Sequence, residues 1–211
     1  MKHTAKWAGL AALAPACGLA AIALASAPAH AEAILTLNDG GTSSITLNDT
    51  ATPGFINYSG TLGSWKFTSD TATIEPMLGD SPNPDMHLGV VAYGSGTLNI
   101  KLTENDFSGT GLQEFLGGLG GSLAEGASLT GDAWLLDAHG TRVAEVGPFG
   151  PFSGFFSDSG SIAEMVNGTY GLEFDGTLTD AQVGTSSFDA SVAVPEPGTL
   201  ALFGAALLGC A

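Results

Sequence analysis

The sequence predicts an all-β protein, built as a single antiparallel β-sandwich of jelly-roll type. Two observations support this prediction. Short apolar runs recur along residues 32–193 and are separated by Gly, Ser, Thr, Asn and Asp. Apolar and polar residues alternate in Thr97–Leu102 and in Tyr170–Phe174, which places the apolar side chains on one face of a strand. Many short strands joined by glycine-rich turns are typical of sandwiches and barrels.

The strand predictions follow these runs along the chain. They are Ala33–Leu37, Ser44–Asn48, Phe55–Ser59, Ser64–Thr68, Thr71–Met77, Met86–Ala92, Gly96–Thr103, Ser128–Leu136, Arg142–Val146, Thr169–Phe174 and Phe188–Val194. Turn residues separate them: Asp39-Gly40-Gly41-Thr42 joins the first two strands, and Asp137-Ala138-His139-Gly140 predicts a tight hairpin. The glycine-rich stretch Asp106–Gly126 is predicted to be mostly loop, with a short helix around Gln113–Leu116.

The first 31 residues have the three parts of a secretory signal peptide. Lys2 and Lys6 supply a basic start, and Ala8–Ala27 is an apolar, alanine-rich run that predicts a signal helix. Ala29-His30-Ala31 is a small-residue cleavage site, so we expect the mature chain to begin at Glu32. The domain organisation that follows is a signal peptide over residues 1–31 and one domain over residues 32–193.

The last 18 residues combine a proline-rich spacer with a short apolar run. Val194-Pro195-Glu196-Pro197-Gly198-Thr199 contains two prolines that fix φ and favour extended geometry in their predecessors. Leu200–Leu208 carries no charge and predicts a helix, for which Thr199 is a suitable N-cap. As a helix, residues 199–211 reach about 20 Å. A bilayer core is about 30 Å thick, so the run is too short to span it alone.

This ending resembles the PEP-CTERM sorting signal of exported proteins from Gram-negative bacteria, with Val194, Pro195, Glu196, Pro197 and Gly198 as its motif. The resemblance implies processing by an exosortase, transient association with the inner membrane, and a final location in the cell envelope or outside the cell. It also implies a link to exopolysaccharide and biofilm formation. The family pattern closes with an arginine cluster that this sequence lacks, so we expect residues 194–211 to be either a truncated or a divergent form of the signal.

Charge and cysteine content restrict the classes of partner. The domain contains three basic residues (Lys66, Lys101 and Arg142) and twenty acidic ones. Such a surface repels nucleic acid and anionic lipid, which excludes both as expected partners. Cys17 and Cys210 both lie outside the domain, so no disulfide stabilises it after export.

Calcium is the one cofactor that the sequence favours. Asp80, Asn83 and Asp85 place three oxygen-bearing side chains within six residues, and Ca²⁺ binds carboxylate and amide oxygens. The same residue types are also those that turns prefer, so a solvated turn is the alternative interpretation.

Aromatic residues suggest a second kind of site. Trp65 and Trp134 are candidates for stacking on sugar rings, and the alternative is that both anchor strands in the core. The phenylalanine-rich segment Phe149–Phe156 is expected to fold inward, with an exposed platform as the alternative. No catalytic motif is found. We therefore expect a non-enzymatic protein of the cell surface or matrix, with a carbohydrate-binding module or a polysaccharide-active hydrolase as alternatives.

Overall fold

The computed structural model describes residues 32–74, 77–80 and 83–195, apart from the side chains of Ser69 and Asp80. These residues form nine strands joined by antiparallel pairing. The strands are β1 (Ala33–Asn38), β2 (Ser44–Asn48), β3 (Phe55–Leu62), β4 (Trp65–Thr73), β5 (Gly79–Asp80), β6 (Asn83–Ser122), β7 (Ala127–Asp137), β8 (Arg142–Phe152) and β9 (Phe155–Ala193). The predicted all-β, antiparallel class is confirmed.

The long strands β6 and β9 organise the sheet because each pairs with the other in three places. Residues 85–104 of β6 pair with residues 172–193 of β9, and residues 107–122 pair with residues 155–170. Residues 116–122 pair in addition with residues 187–193. The carboxyl-terminal part of β9 therefore lies between the beginning and the end of β6.

Two six-strand ladders result from this pairing. The first runs β3–β4, then the start of β6, the end of β9, the end of β6 and the start of β9. The second runs β2–β1, the middle of β6, the middle of β9, then β7 and β8. Whether the two ladders pack as the layers of a sandwich stays a prediction.

The core follows from the alternation in the sequence. Leu35, Leu37, Leu98, Ile100 and Leu102 are inaccessible to solvent, while the residues between them are partly or fully exposed. The largest buried side chains are Trp65, Phe67, Phe107, Phe115, Phe174 and Phe188. Burying one such side chain stabilises a fold by about 1.5–3 kcal/mol, and this domain has no disulfide to add to that term.

The prediction for Asp106–Gly126 was wrong. This region belongs to β6 up to Ser122, and the expected helix around Gln113–Leu116 is strand. Glycine-rich sequence usually indicates loop because glycine loses the most conformational freedom on ordering. Here residues 116–122 are paired on both edges of the strand, once with each end of β9. That double pairing offsets the entropy cost, and it depends on partners far away in sequence.

Both predicted turns are confirmed, and each is held by an aspartate. Asp39 accepts hydrogen bonds from the N–H groups of Gly41 (2.9 Å) and Ser43 (3.2 Å), and the Gly41 bond contributes most to lowering the pKa of Asp39. Asp137 accepts hydrogen bonds from the N–H groups of Thr141 (2.9 Å) and His139 (2.8 Å). These bonds lower the pKa of Asp137, and the bond from Thr141 contributes most. Asx residues favour turns through such local bonds.

A β-bulge in β4 contains Asp70, an acidic residue that is fully buried and has a raised pKa. The register of β4 against β6 moves by one residue between Phe67 and Thr71. Asp70, inside the bulge, is inaccessible to solvent and accepts a hydrogen bond from the N–H of Val91 at 3.0 Å. Burial raises the pKa of Asp70 to about 7. The carboxyl thus satisfies a backbone donor at the bulge, where regular pairing is interrupted.

The predicted signal helix (residues 1–31) and the helix over residues 199–211 lie outside the described residues. Within the part of the chain that is described, no helix is long and apolar enough to cross a membrane.

Candidate functional site

Trp65 is a core residue, which is the alternative to sugar stacking that its position in a strand pattern allowed. Its side chain is 1% exposed, and its indole N–H donates to the carbonyl of Thr97 at 3.2 Å. The residue begins β4 and packs against Gly94 of the neighbouring strand, where an added Cβ would approach the ring to 2.8 Å. A ring with no accessible face cannot stack on a sugar.

Trp134 lies on the outer side of the second ladder and already has a stacking partner. The guanidinium of Arg142 lies 4.8 Å from the centre of its ring. Arg142 also donates from Nε to Glu173 at 2.7 Å, and Lys101 Nζ lies 3.1 Å from the other Glu173 oxygen. Two of the three cations in the domain therefore neutralise one largely buried carboxylate. This arrangement ties β6, β8 and β9 together across the ladder and leaves one face of Trp134 covered.

The predicted calcium ligands are not brought together as a complete site. Asp80 and Asn83 face each other as backbone partners, and Asp85 lies two residues further along β6. Among the residues that the structure describes, no three His, Cys, Asp or Glu side chains are grouped so that they could hold a metal ion. The side chain of Asp80 is outside the described residues, so calcium binding by Asp80, Asn83 and Asp85 stays a prediction.

The outward side of the first ladder carries small hydroxyl side chains, and we call it the hydroxyl face. It follows from alternation: apolar residues of these strands point to the core, and Ser or Thr points outward. Its members come from β4 and from both ends of β9. They are Thr71, Thr73, Ser157, Ser159, Ser161, Thr185, Ser187 and Ser191, with Ser122 from β6. Hydroxyls both donate and accept hydrogen bonds, so they can adapt to different polar ligands. The same side also carries Asp85 and His87 of β6 and Asp189 of β9.

A glycine trough runs along the middle of the hydroxyl face. Gly118 and Gly120 are the outward positions of β6 between the two ends of β9. Ser191 and Ser159 flank Gly118, whereas Asp189 and Ser157 flank Gly120. Because glycine has no side chain, the floor of the trough is backbone, bordered by three hydroxyls and the carboxyl group of Asp189. A ligand can approach a strand most closely where glycine occupies it.

Exposed aromatic rings stand at one end of the hydroxyl face. Phe155 is 91% exposed and lies across from Ser122, and Tyr93 is 48% exposed and lies across from Thr185. The prediction that the phenylalanine segment folds inward holds only in part: Phe149 is buried, and Phe152 stacks on Phe156 at 4.5 Å with both rings half-buried. Phe155 alone of the four rings is left fully open.

The opposite end of the hydroxyl face opens into a cleft of about 650 Å³, called here the His87 cleft. His87 and Asp85 point into it from β6, and Ser191 lies directly across from His87. Burial raises the pKa of Asp85, and the nearby His87 acts in the opposite direction. Leu116 and Leu78 complete the lining on the apolar side. The cleft therefore combines an acid, an imidazole and hydroxyls with an apolar wall.

Sequence reasoning missed this surface. Its residues come from positions as far apart as Thr71 and Ser191, and each Ser or Thr was unremarkable alone. The signal available was the alternation of Ser with apolar residues in 187–194 and the run Gly117-Gly118-Leu119-Gly120-Gly121. Of the residues singled out as ligands, only Asp85 lies at this face.

The carboxyl terminus provides the match to a known family. Residues 193–211 match the PEP-CTERM protein-sorting motif. The chain is thus an exported protein that carries a signal for exosortase sorting. The PEP-CTERM motif begins inside the sheet, since Ala193 ends β9 and Val194 is buried. Glu196, Pro197 and Gly198 lie outside the described residues. At the other end, the side chain of Glu32, the expected first mature residue, accepts a bond from Asn48 at 3.1 Å, whereas Ala29 and Ala31 are outside them.

Comparisons beyond the PEP-CTERM motif give distant likenesses only. No curated protein matches the chain. The enzymatically active domain of tailspike protein 4 from bacteriophage CBA120 is 18% identical, with 67% of this chain and 19% of that chain covered and a TM-score of 0.34. A structure of the infectious bursal disease virus Gx strain is 12% identical, with 77% of this chain and 55% of that chain covered and a TM-score of 0.39. The isomalto-dextranase of Arthrobacter globiformis T6, complexed with panose, is 11% identical, with 66% of this chain and 23% of that chain covered and a TM-score of 0.29. This chain spans about a fifth to about half of those chains.

Proposed function

We propose that this exported protein is a non-enzymatic component of the cell surface or extracellular matrix that binds polysaccharide through its hydroxyl face. The single observation that carries the proposal is the glycine trough, bordered by hydroxyls and ending at exposed Phe155 and Tyr93. The PEP-CTERM motif supports export and membrane-anchored sorting. Association with exopolysaccharide and biofilm is the setting that this sorting route implies.

The chemistry of the face suits a sugar chain. Hydroxyls of Ser157, Ser159 and Ser191 can exchange hydrogen bonds with sugar hydroxyls, and the backbone floor at Gly120, where the nearest atom to an added Cβ is 3.5 Å away, leaves room for a ring. Aromatic side chains at the end of a groove offer an apolar surface to the C–H face of a sugar. The many acids of the domain disfavour anionic polysaccharides by like-charge repulsion. We therefore expect an uncharged or amino-bearing polysaccharide.

The scaffold we propose is a jelly-roll-like sandwich. β6 and β9 each pass through both ladders, so the ladders are connected by continuous strands instead of by loops. Phe149 of β8, in the second ladder, lies within 3.1 Å of the Cβ position of Gly117 in the first. Contact between the two ladders through inward-pointing residues supports two layers with a shared core.

A second candidate function is polysaccharide hydrolysis in the His87 cleft. The specific observation is that Asp85, His87 and Ser191 share one cleft, with Ser191 opposite His87. A neighbouring acid and base are the parts that hydrolysis needs. Under this alternative, the mature chain releases reducing sugars from a polysaccharide, and His87→Ala abolishes the release while binding persists.

The decisive experiment measures binding of the mature chain to a panel of uncharged, amino-bearing and anionic polysaccharides, with and without calcium. Gly120→Leu fills the trough with a side chain, and Thr130→Leu is its control on the outer side of the other ladder. We expect Gly120→Leu to weaken binding at least tenfold and Thr130→Leu to leave it unchanged.

Equal binding by the two variants would exclude the trough as the site. Absence of binding to every polysaccharide, with and without calcium, would exclude the proposed function. A requirement for calcium would support the metal site predicted at Asp80, Asn83 and Asp85.

A further inference from the structure

The point at which the chain leaves the domain is fixed by the sheet itself. Val194 follows β9, is 3% exposed, and donates its backbone N–H to the carbonyl of Pro84 at 2.9 Å. Pro195 is the next residue, so no flexible linker separates the core from the Pro-Glu-Pro segment. The position of Pro195, the first proline of that segment, is thus set by the fold.

Apolar side chains surround this exit. Met77 is 59% exposed and Leu116 is 38% exposed, and Leu78 lines the same cleft as Leu116 and Ala193. Backbone bonds from Met77 and Leu78 to the carbonyl of Ile74, at 2.8 and 2.9 Å, hold the Met77 segment in place. We call Met77, Leu78 and Leu116 the exit surface. Single exposed apolar residues are ordinary on a protein surface, but here Leu78 and Leu116 line one cleft with Ala193, and exposed Met77 directly precedes Leu78.

The spacer between the exit and the apolar run is short. Four peptide units join Pro195 to Thr199, and a fully extended chain covers at most about 3.6 Å per residue, or about 14 Å in total. If Leu200–Leu208 lies in a bilayer, the exit surface is then held within about 14 Å of the lipid headgroups. Leu116 pairs with Ala193, two residues before Pro195, so an orientation with Leu116 against the membrane is compatible with this restriction.

We propose that the exit surface is a lipid-contact surface on which the domain rests while its sorting segment is inserted in the membrane. The inference rests on the proposed sorting route, in which Leu200–Leu208 enters the bilayer. Its partner is a zwitterionic lipid surface, because the acidic domain is repelled by anionic headgroups. The three apolar side chains insert among the headgroups, where apolar area is removed from water.

This orientation gives the hydroxyl face a direction. Asp85, Ala193 and Leu116 form its row nearest the exit, and Tyr93 and Thr185 form the row at its other end. Eight residues along a strand separate these rows, which corresponds to about 27 Å. The aromatic end of the face therefore points away from the membrane, toward the space where polysaccharide lies.

The test uses the absence of cysteine from residues 32–193, which allows single labels to be introduced. In the mature chain with Cys210→Ser, one cysteine is placed by Met77→Cys, by Val183→Cys or by Phe203→Cys, and carries an environment-sensitive dye. Val183 is a matched control because it is 61% exposed, close to the value for Met77. The proteins are reconstituted from detergent into phosphatidylcholine vesicles that contain a lipid-phase quencher.

We expect strong quenching at position 203, at least twofold quenching with a blue shift at 77, and neither at 183. Adding Leu116→Glu should at least halve the quenching at 77 and leave that at 203 unchanged. Including anionic phosphatidylglycerol in the vesicles should also lower the quenching at 77. Quenching at 203 with none at 77 would overturn the lipid-contact surface alone. No quenching at 203 would overturn insertion of the sorting segment, and the lipid-contact surface with it. Polysaccharide binding is measured separately and is unaffected by either result.

Discussion

At the scale of single residues, Asp70 is buried where the ionised form of a carboxyl group is unfavourable. The side chain is closed off from water inside the β4 bulge, and its Oδ1 accepts a hydrogen bond from the N–H of Val91 at 3.0 Å. Desolvation disfavours the charged form, which raises the pKa of Asp70 to about 7. A neutral Asp70 is therefore compatible with the fold, and an ionised one weakens it.

The sign of the resulting pH dependence follows from linkage. The folded protein keeps a proton on Asp70 that the unfolded chain, with a pKa of 3.8, has already released. The free energy of unfolding therefore falls as pH rises from about 4 to about 7 and is level above that. A shift of this size corresponds to a loss on the order of 4 kcal/mol.

We expect Asp70→Asn to be more stable than the native chain above pH 7 and to show a flatter profile between pH 4 and 7. Asparagine keeps an acceptor for the Val91 N–H and carries no charge. Urea unfolding at several pH values measures the effect, with exposed Asp158→Asn as the control for a change in net charge. An unchanged slope in Asp70→Asn would show that this carboxyl is ionised in the fold.

At the scale of elements, the neighbouring glycines Gly120 and Gly121 of β6 differ in how much space surrounds them. An added Cβ at Gly121 would approach the Ser187 carbonyl oxygen to 2.3 Å and the Phe188 Cα to 2.7 Å, so glycine is required for close packing of two strands. At Gly120 the nearest atom would be 3.5 Å away, which is an ordinary contact. Gly121 therefore serves the core, and Gly120 serves the open trough.

This difference predicts opposite outcomes for two adjacent substitutions. Gly121→Ala should destabilise the fold by about 1–3 kcal/mol, because the Ser187 oxygen and the Phe188 Cα that it would meet are backbone atoms and cannot move aside cheaply. Gly120→Ala should be neutral or stabilising by up to about 1 kcal/mol, because alanine restricts the unfolded chain. Chemical denaturation of the two variants compares them directly. Similar losses would mean that both glycines are packed and that the trough is closed.

At the scale of the whole molecule, the domain and its sorting segment overlap. The PEP-CTERM motif starts at residue 193, but Val194 is part of the core and of the hydrogen-bond network through Pro84. The boundary predicted at residue 193 thus coincides with the last strand residue and leaves one core side chain on the sorting side. We therefore expect folding of the domain and presentation of the motif to be coupled through Val194.

Truncation measures that coupling. A chain ending at Ala193 should unfold about 2–3 kcal/mol more easily than one ending at Pro195, because it loses a buried valine and one backbone hydrogen bond. The comparison uses urea unfolding of residues 32–193 and 32–195 under identical conditions. Equal stabilities would mean that Val194 belongs energetically to the sorting segment.

Local sequence determined a definite part of this protein. The sorting motif was recognisable because its prolines and apolar run are contiguous, and Ser44–Asn48 was predicted with the bounds it has because its alternation is local. The hairpin at Asp137 was also predictable, since an aspartate bonding to nearby N–H groups needs no distant partner. These features depend on residues within a few positions of one another.

Tertiary structure alone decided the rest. It made glycine-rich residues 116–122 a strand by supplying partners on both sides, and it buried Trp65 while leaving Phe155 open. It also assembled the hydroxyl face from positions more than a hundred residues apart. The physical reason is that pairing and burial are properties of distant segments brought together, whereas propensity and motif are properties of neighbours along the chain.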